Sequence, residues 1–519
     1  MMKRGWERFA CSLLMVVLVS GYGYAEVKSG SDATPPSYRE GELIVKYRDH
    51  VSEARRMAGH SRHGSMRKKE FRDLRMEQVK IRPGLSVEKA IREFEADGDV
   101  EYAEPNYVLK ATNVPTDPKF YNTWGLTKIN APAAWDNTTG SAGVVVAVID
   151  SGVDYNHPDL RANMWVNQAE LNGQPGVDDD GNGAVDDIYG YNAVSNSGNP
   201  MDDNGHGTHV AGTIGGVGNN GIGVAGVNWN VRIMACKFLA ASGSGYTSDA
   251  IECLQYIKKM KSRGVNIVAT NNSWGGAGYS KALSDAINAQ RDILFIAAAG
   301  NAASNNDTTA TYPAGYNLPN VIPVAATTSS DSLASFSNYG RRSVLVGAPG
   351  YSILSTYPNN QYVFMSGTSM ATPHVAGLAA LIKAKYPTQD WRGIRNLILS
   401  GGDRPASLTA KTVTGRRINA FGSLTCADSR VFSALKYPAT IQPGVATTLS
   451  ALSINCANPA GPVTVSLSGG EVMTMRDDGV SPDLAAGDGV FTVSWIPVRA
   501  AETFYFSSPI GAETVTVGM

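Results

Sequence analysis

Between residues 144 and 386 the chain alternates short runs that are apolar at almost every position with stretches of helical periodicity. The runs are VVVAVID, VRIMACKFL, VNIVATNNS, ILFIAAAGN and NVIPVAAT; the helical stretches are DAIECLQYIKKM, ALSDAINAQ and PHVAGLAALIKAKY. A strand wetted on one face would alternate apolar with polar residues. A strand apolar throughout must be covered on both faces, and intervening helices supply that cover, so the pattern predicts an α/β domain built on a parallel sheet. In a chain of 519 residues, at roughly 150 residues per domain, this leaves room for further units on either side. Charged residues are 18% of the total, lean for a globular protein, where about 25% is usual. With 45 Lys plus Arg against 46 Asp plus Glu the net charge is -1, so no nucleic acid or anionic membrane is expected as a partner.

The flanks read differently. From residue 39 to 106 the chain carries 15 Lys or Arg and 14 Asp or Glu. This segment opens with GELIVKYRD, alternating as a half-buried strand does. It closes with a helix capped by Ser86, carrying Val87, Ala90, Ile91 and Phe94 on one face, and a strand beyond Gly98. A small α+β domain over 38–110 is expected. Beyond Cys426, short strands (TTLSALSI, PVTVSLSG, VFTVSWIPV, TFYFSSP, ETVTV) with Asp-Gly turns predict an all-β sandwich over 426–519. Residues 1–25 read as an export signal peptide: Lys3, Arg4 and Arg8 precede an apolar run over 9–20, followed by Gly23 and Ala25. A membrane span needs roughly 20 apolar residues, so no membrane anchor is expected and the mature chain is expected to be secreted, extracellular or periplasmic. Cys236, Cys253, Cys426 and Cys456 then remain. Of their possible pairings, 236 with 253 and 426 with 456 keeps each bond within one domain, with free buried thiols at Cys236 and Cys253 as the alternative.

Three glycine-flanked motifs fall at the ends of the central elements. VVVAVIDSGVD puts Asp150 where a buried strand emerges, DDNGHGTHVAGTIGG puts His206 at a turn into a helix, and SGTSMATPHVAG puts Ser369 at another helix start. A serine hydroxyl is a poor nucleophile until an imidazole removes its proton, and a buried carboxylate fixes the tautomer of that imidazole and stabilises its cation. The helix N-terminus at Ser369 also turns N-H groups and a positive dipole end toward an oxyanion. Pro373 is expected in the first helical turn, where a missing N-H costs little. His209 and His374 read as buried hydrogen-bonding residues of the same helices.

DSGVD, NGHGTHVAG and GTSMATPHV resemble the three active-site signatures of the subtilisin family of serine endopeptidases, over about 118–422. The Asp, His, Ser order is that family's own and is recognised here rather than deduced. The resemblance implies an Asp150, His206, Ser369 triad and, from ILFIAAAGN, an oxyanion donor on the side chain of Asn301. It implies that the charged segment is an inhibitor-like propeptide, cut off autocatalytically, whose tail first occupies the cleft. It also implies substrate contacts at Ser273, Trp274 and Gly275, an edge strand for an extended peptide, and at Ala298 and Gly300 on the walls of the primary pocket. Thr311 stands where the family often has glycine, which points to medium apolar side chains at the scissile position.

Two loops suggest structural Ca2+. VDDDGNGAVDD spaces Asp178, Asp180, Asn182, Ala184 and Asp186 or Asp187 as a hard cation favours, without the bidentate glutamate of an EF-hand. HPDL and GNNGIGV resemble the family's high-affinity calcium site, implying Asp159, Asn220 and the carbonyls of Gly218, Ile222 and Val224. Asp477, Asp478, Asp483 and Asp488 read as plain turn residues. The whole reads as a secreted, monomeric serine endopeptidase made as a self-processing zymogen, acting on protein or peptide substrates. The rival, a catalytically idle adhesion or binding protein on the same scaffold, would have no need of Asp150, His206, Asn301 and Ser369 together.

Overall fold

Residues 38–108 and 114–518 are described by a computed structural model; the expected export signal lies outside them. Four strands, β1 (Tyr38–Tyr47), β2 (Met66–Phe71), β3 (Met76–Lys80) and β4 (Val100–Tyr107), form an antiparallel sheet in the order β2-β3-β1-β4. The helix Val87–Glu95 starts where Ser86 accepts from the Lys89 N-H and packs Val87, Ala90 and Phe94 against Leu43, Val45 and Val100. The charge of this segment is largely paired with itself. Glu77, fully buried on β3, is held by His60, Arg56 and Arg67.

The central runs become β5 (Gly140–Asp150), β6 (Gly190–Asn192), β7 (Asn230–Lys237), β8 (Ile267–Asn272), β9 (Leu294–Ala298), β10 (Val321–Thr327) and β11 (Val346–Pro349). They make one parallel sheet, ordered β11-β10-β9-β8-β5-β7-β6. Both faces are covered: Val146 and Val148 of β5 join one apolar cluster, Val145, Ala147 and Ile149 the other. The first cluster contains the helix Thr368–Lys385, which is apolar nearly all round and therefore buried nearly all round. The second contains Leu254 and Ile257 of the helix Thr247–Ser262, tied to β7 by the disulfide Cys236–Cys253. From β5 the chain runs out to β6, returns to β7, then crosses to β8 on the other side. Strand order thus reverses at β5, and in such sheets the crevice beyond the carboxyl ends at that reversal is where ligands bind.

Beyond residue 429 two antiparallel four-stranded sheets face each other. Leu449, Ala451, Val463, Val465, Phe491, Trp495, Phe504 and Phe506 fill the space between them. This sandwich is not a loose appendage. Its Val431, Leu452 and Ile454 belong to the same apolar cluster as the central helix, Cys426–Cys456 clamps its root, and Arg392 and Arg395 donate to the carbonyls of Ala486 and Asp488. Asp477, Asp483 and Asp488 gather in that docked loop. Among the described residues no helix is long and apolar enough to cross a membrane.

Candidate active site

Asp150 is the last residue of β5, fully buried at the reversal point. Its Oδ1 lies 2.8 Å from His206 Nδ1 and accepts from the Ser151 N-H at 2.7 Å. A carboxylate only accepts, so the proton of the neutral imidazole sits on Nδ1 and Nε2 is left as the basic nitrogen. Burial by itself depresses the His206 pKa, but Asp150 and, behind it, Asp202 more than offset this, so the imidazole titrates above its ordinary value. His209 and His374 are held down to about 4 by burial and are neutral; they donate to the carbonyls of Ile353 and Val363, and of Met370.

The approach of β5 to the helix His206–Gly215 depends on two features. A Cβ on Gly207 would lie 2.0 Å from the Gly152 carbonyl oxygen, so only glycine allows the two segments to meet. The second feature, missed in the sequence, is Asp202. Its Oδ1 accepts from Ser151 Oγ (2.9 Å), Asn204 N (3.0 Å) and Gly205 N (2.9 Å), and its Oδ2 from Thr208 N (2.9 Å) and Oγ1 (2.6 Å). One buried carboxylate thereby pins the residue after Asp150 to the first turn of the His206 helix. The N-cap position itself is Gly205, three residues beyond Asp202, so the ordinary capping signal does not mark this acid in the sequence.

Ser369 is the second residue of the helix Thr368–Lys385, so its N-H has no partner within the helix. Asn301, past the end of β9, accepts from Thr368 N and Thr368 Oγ1, each at 2.8 Å. Tying back the amide oxygen turns its N-H2 toward the cleft that Ser369 also lines. Ser369 Oγ donates to the Ser273 carbonyl at 3.0 Å, and among the described residues no hydrogen bond joins it to His206. Pro373 is the sixth helical residue, not part of the first turn as expected from sequence, so its missing N-H does remove an intrahelical bond, the one to the Ser369 carbonyl. That carbonyl accepts from Ser273 Oγ at 2.8 Å instead.

These groups border a cleft of about 800 Å³ that also takes in Trp274, Gly275, Ala298, Gly300 and Thr311. Gly276 and Tyr312 pair through two 2.8 Å backbone bonds, leaving 273–275 as the edge facing the cleft. Thr311 Cγ2 sits 3.4 Å and 3.5 Å from where a Cβ would stand on Gly275 and Gly300, which narrows the space between these walls. Asn338, also unforeseen, fixes this corner: buried, it donates to Thr311 Oγ1 and Asn306 Oδ1 and accepts from the N-H groups of Ala302 and Ser304.

Besides the Asp477, Asp483 and Asp488 cluster, two acidic sites lie away from the cleft. Glu170, buried and unforeseen, joins Asp180 and Asp187, with oxygens of all three within 4.8 Å of one another. Burial pushes Asp187 up to about 6, despite bonds from Tyr256 and Asn182 and with Asp180 repelling it. Asp178 and Asp186 instead cap backbone N-H groups of Gly183 and Gly176, and the Asn182 amide donates to Asp180 and Asp187 while its oxygen accepts from Ala184 N. At the other site Asp159 accepts from Asn220 Nδ2 (2.8 Å) and Val224 N (2.8 Å), in the loop that also contains Gly218 and Ile222. Asp117, unforeseen and buried, accepts from Asn219 N; burial pushes Asp159 up to about 6, and Asp117 adds to the rise. Buried carboxylates crowded against each other are a donor set that a hard divalent cation fits.

Residues 141–415 match the subtilase family, and residues 25–106 match the fervidolysin N-terminal prodomain. The thermophilic serine proteinase of Bacillus sp. (strain AK1) is 37% identical over 352 residues, 67% of this chain and 79% of that one. Subtilisin-like protease 1 of Plasmodium falciparum (isolate 3D7) is 41% identical over 273 residues, 49% of this chain and 39% of the relative. Among solved structures, a protease of Pseudoalteromonas arctica has a TM-score of 0.50 at 29% identity, over 60% of this chain and 99% of that one.

Proposed function

The chain belongs to the subtilase family and is a serine protease with an N-terminal prodomain, and from that premise we propose that it is an endopeptidase in which Ser369 is the nucleophile, His206 the base and Asp150 the group that orients it. The observation that carries this reading is the 2.8 Å bond between His206 Nδ1 and Asp150, which leaves Nε2 basic at the edge of the cleft that Ser369 lines. With a peptide paired along 273–275, Ser369 Oγ turns from the Ser273 carbonyl toward His206, passes its proton to Nε2 and attacks the scissile carbonyl carbon. The oxyanion that forms takes hydrogen bonds from Asn301 Nδ2 and the Ser369 N-H. His206 returns the proton to the leaving amine, and water hydrolyses the acyl-enzyme by the same relay. Thr311 between Gly275 and Gly300 favours medium apolar side chains at the scissile position.

In the same proposal the prodomain is cut away by this site, its tail occupies the cleft beforehand, and the mature monomer works outside the cell. Structural Ca2+ would be held by Asp159, Asn220 and the loop carbonyls at one site, joined by Asp117. At the other it would be held by Glu170, Asp180 and Asp187. When bound, it neutralises the crowded carboxylates and takes no part in the reaction. The test is Ser369→Ala in the full chain: the expected result is loss of proteolysis with the prodomain left attached. Self-cleavage and turnover at the normal rate in that variant would overturn the assignment.

A further inference from the structure

Pro373 leaves the Ser369 carbonyl without the helix donor that every ordinary residue four positions on supplies. This is the carbonyl of the nucleophile itself. Its position sets where the Ser369 N-H and Oγ stand, and misplacement of a reacting group by about 1 Å can cost on the order of a hundredfold in rate. The hydroxyl that fills the gap is Ser273 Oγ, 3% exposed and 2.8 Å away. A carbonyl can only accept, so the single hydroxyl proton of Ser273 lies on that bond. Its lone pairs then receive Asn271 Nδ2 at 3.0 Å, from a fully buried amide on β8. The donor chain therefore runs in one direction, from β8 through Ser273 to the helix, and Ser369 Oγ returns a bond to the Ser273 carbonyl at 3.0 Å.

We propose that the Ser273 side chain is a positioning residue: it supplies the hydrogen bond that Pro373 removes and so locks the backbone of the nucleophile to the end of β8. This rests on Ser369 being the nucleophile and goes beyond the substrate pairing assigned to 273–275, which uses only main-chain atoms. Ser273→Ala keeps that pairing and deletes the lock. Pro373→Ala restores an N-H four residues after Ser369 and so offers the carbonyl a substitute donor within the helix.

The experiment is a double-mutant cycle on the full chain, comparing wild type, Ser273→Ala, Pro373→Ala and the pair. It is read by turnover of an unstructured peptide, by KM, and by the rate at which phenylmethanesulfonyl fluoride inactivates each form. Ser273→Ala is expected to lower kcat and the inactivation rate about tenfold to a hundredfold with KM changed by less than about threefold. Adding Pro373→Ala is expected to recover most of that loss, whereas Pro373→Ala alone changes kcat by less than about threefold. If Ser273→Ala does not mature, the same comparison is read on the pair against Pro373→Ala alone, which should then differ by less than about threefold. Losses that multiply without rescue, or a loss carried by KM, would overturn the positioning role. Ser369→Ala, run alongside, separates that outcome from failure of the nucleophile assignment, since only the latter leaves it active.

Discussion

Replacing Asp202 tests whether the pairing of Asp150 with His206 is set by a second carboxylate. Asp202 is 7% exposed and accepts five hydrogen bonds, three on one oxygen and two on the other. Asp202→Asn keeps one accepting oxygen for Ser151, Asn204 and Gly205 but turns an N-H2 against the Thr208 N-H. Losing two bonds and crowding two donors is expected to cost about 2–3 kcal/mol. Asp202→Ala leaves all five donors without their acceptor and is expected to cost about 3–5 kcal/mol. At about 2 °C per kcal/mol for a large domain, the Asn variant should melt about 4–6 °C lower, measured calorimetrically in a Ser369→Ala background so that autolysis does not intervene. Activity adds a readout that mere loosening would not move. Asp202 helps hold the His206 pKa above its ordinary value, and the base must be neutral, so rate is lost as pH falls through that pKa. Removing the negative charge disfavours the imidazolium, and the acidic limb of kcat/KM should move to lower pH. A melting temperature within 1 °C of the parent, with the acidic limb unmoved, would refute the reasoning.

Asn301→Ala should lower kcat by about 100- to 1000-fold with little change in KM, because its donor acts on charge that appears only in the transition state; this range is known for the equivalent donor in a subtilisin, and an effect on KM alone would exclude the role. In chelator, Asp159 and Asp187, both raised to about 6, contribute stability that is fully present below the ordinary carboxyl pKa near 4 and is lost as pH rises through 6. Calcium replaces the lost protons, so the melting temperature gained on adding it should be large at pH 8 and small at pH 4; equal gains at both would show that these carboxylates do not hold it. Residues 38–108 added as a separate chain should inhibit the mature enzyme with an affinity unaffected by Asn301→Ala, and full activity at saturating fragment would discard the inhibitor role.

The central sheet was legible because its strands are apolar at consecutive positions, a pattern with one physical solution, cover on both faces. The places of Asp150, His206 and Ser369 at element ends were legible because glycines and helix starts surround them within a few residues, whereas grouping the three came from the resemblance to the subtilisin signatures and not from any local pattern. The β-sandwich was equally visible in its alternation, but its fusion to the central core through Val431, Leu452 and Ile454 was not, since an apolar residue does not state which neighbour buries it. The calcium loops show the same division: the spacing in VDDDGNGAVDD identified an acidic turn, yet the fold turns Asp178 and Asp186 to backbone N-H groups and brings Glu170 to Asp180 and Asp187.

What the sequence determined by itself was the set of elements, their covering and the chemical types at their ends, all of which depend on neighbours within one or two turns of chain. What only the tertiary structure decided was who satisfies whom. Asp117 meets Asn219, 102 residues on, and Ser273 replaces a bond that Pro373 deletes from a helix 96 residues away. A buried donor or acceptor must find a partner, but the requirement is blind to distance along the chain. Only the packing of β5, β8 and two helices around one crevice selects which of many polar side chains meets it.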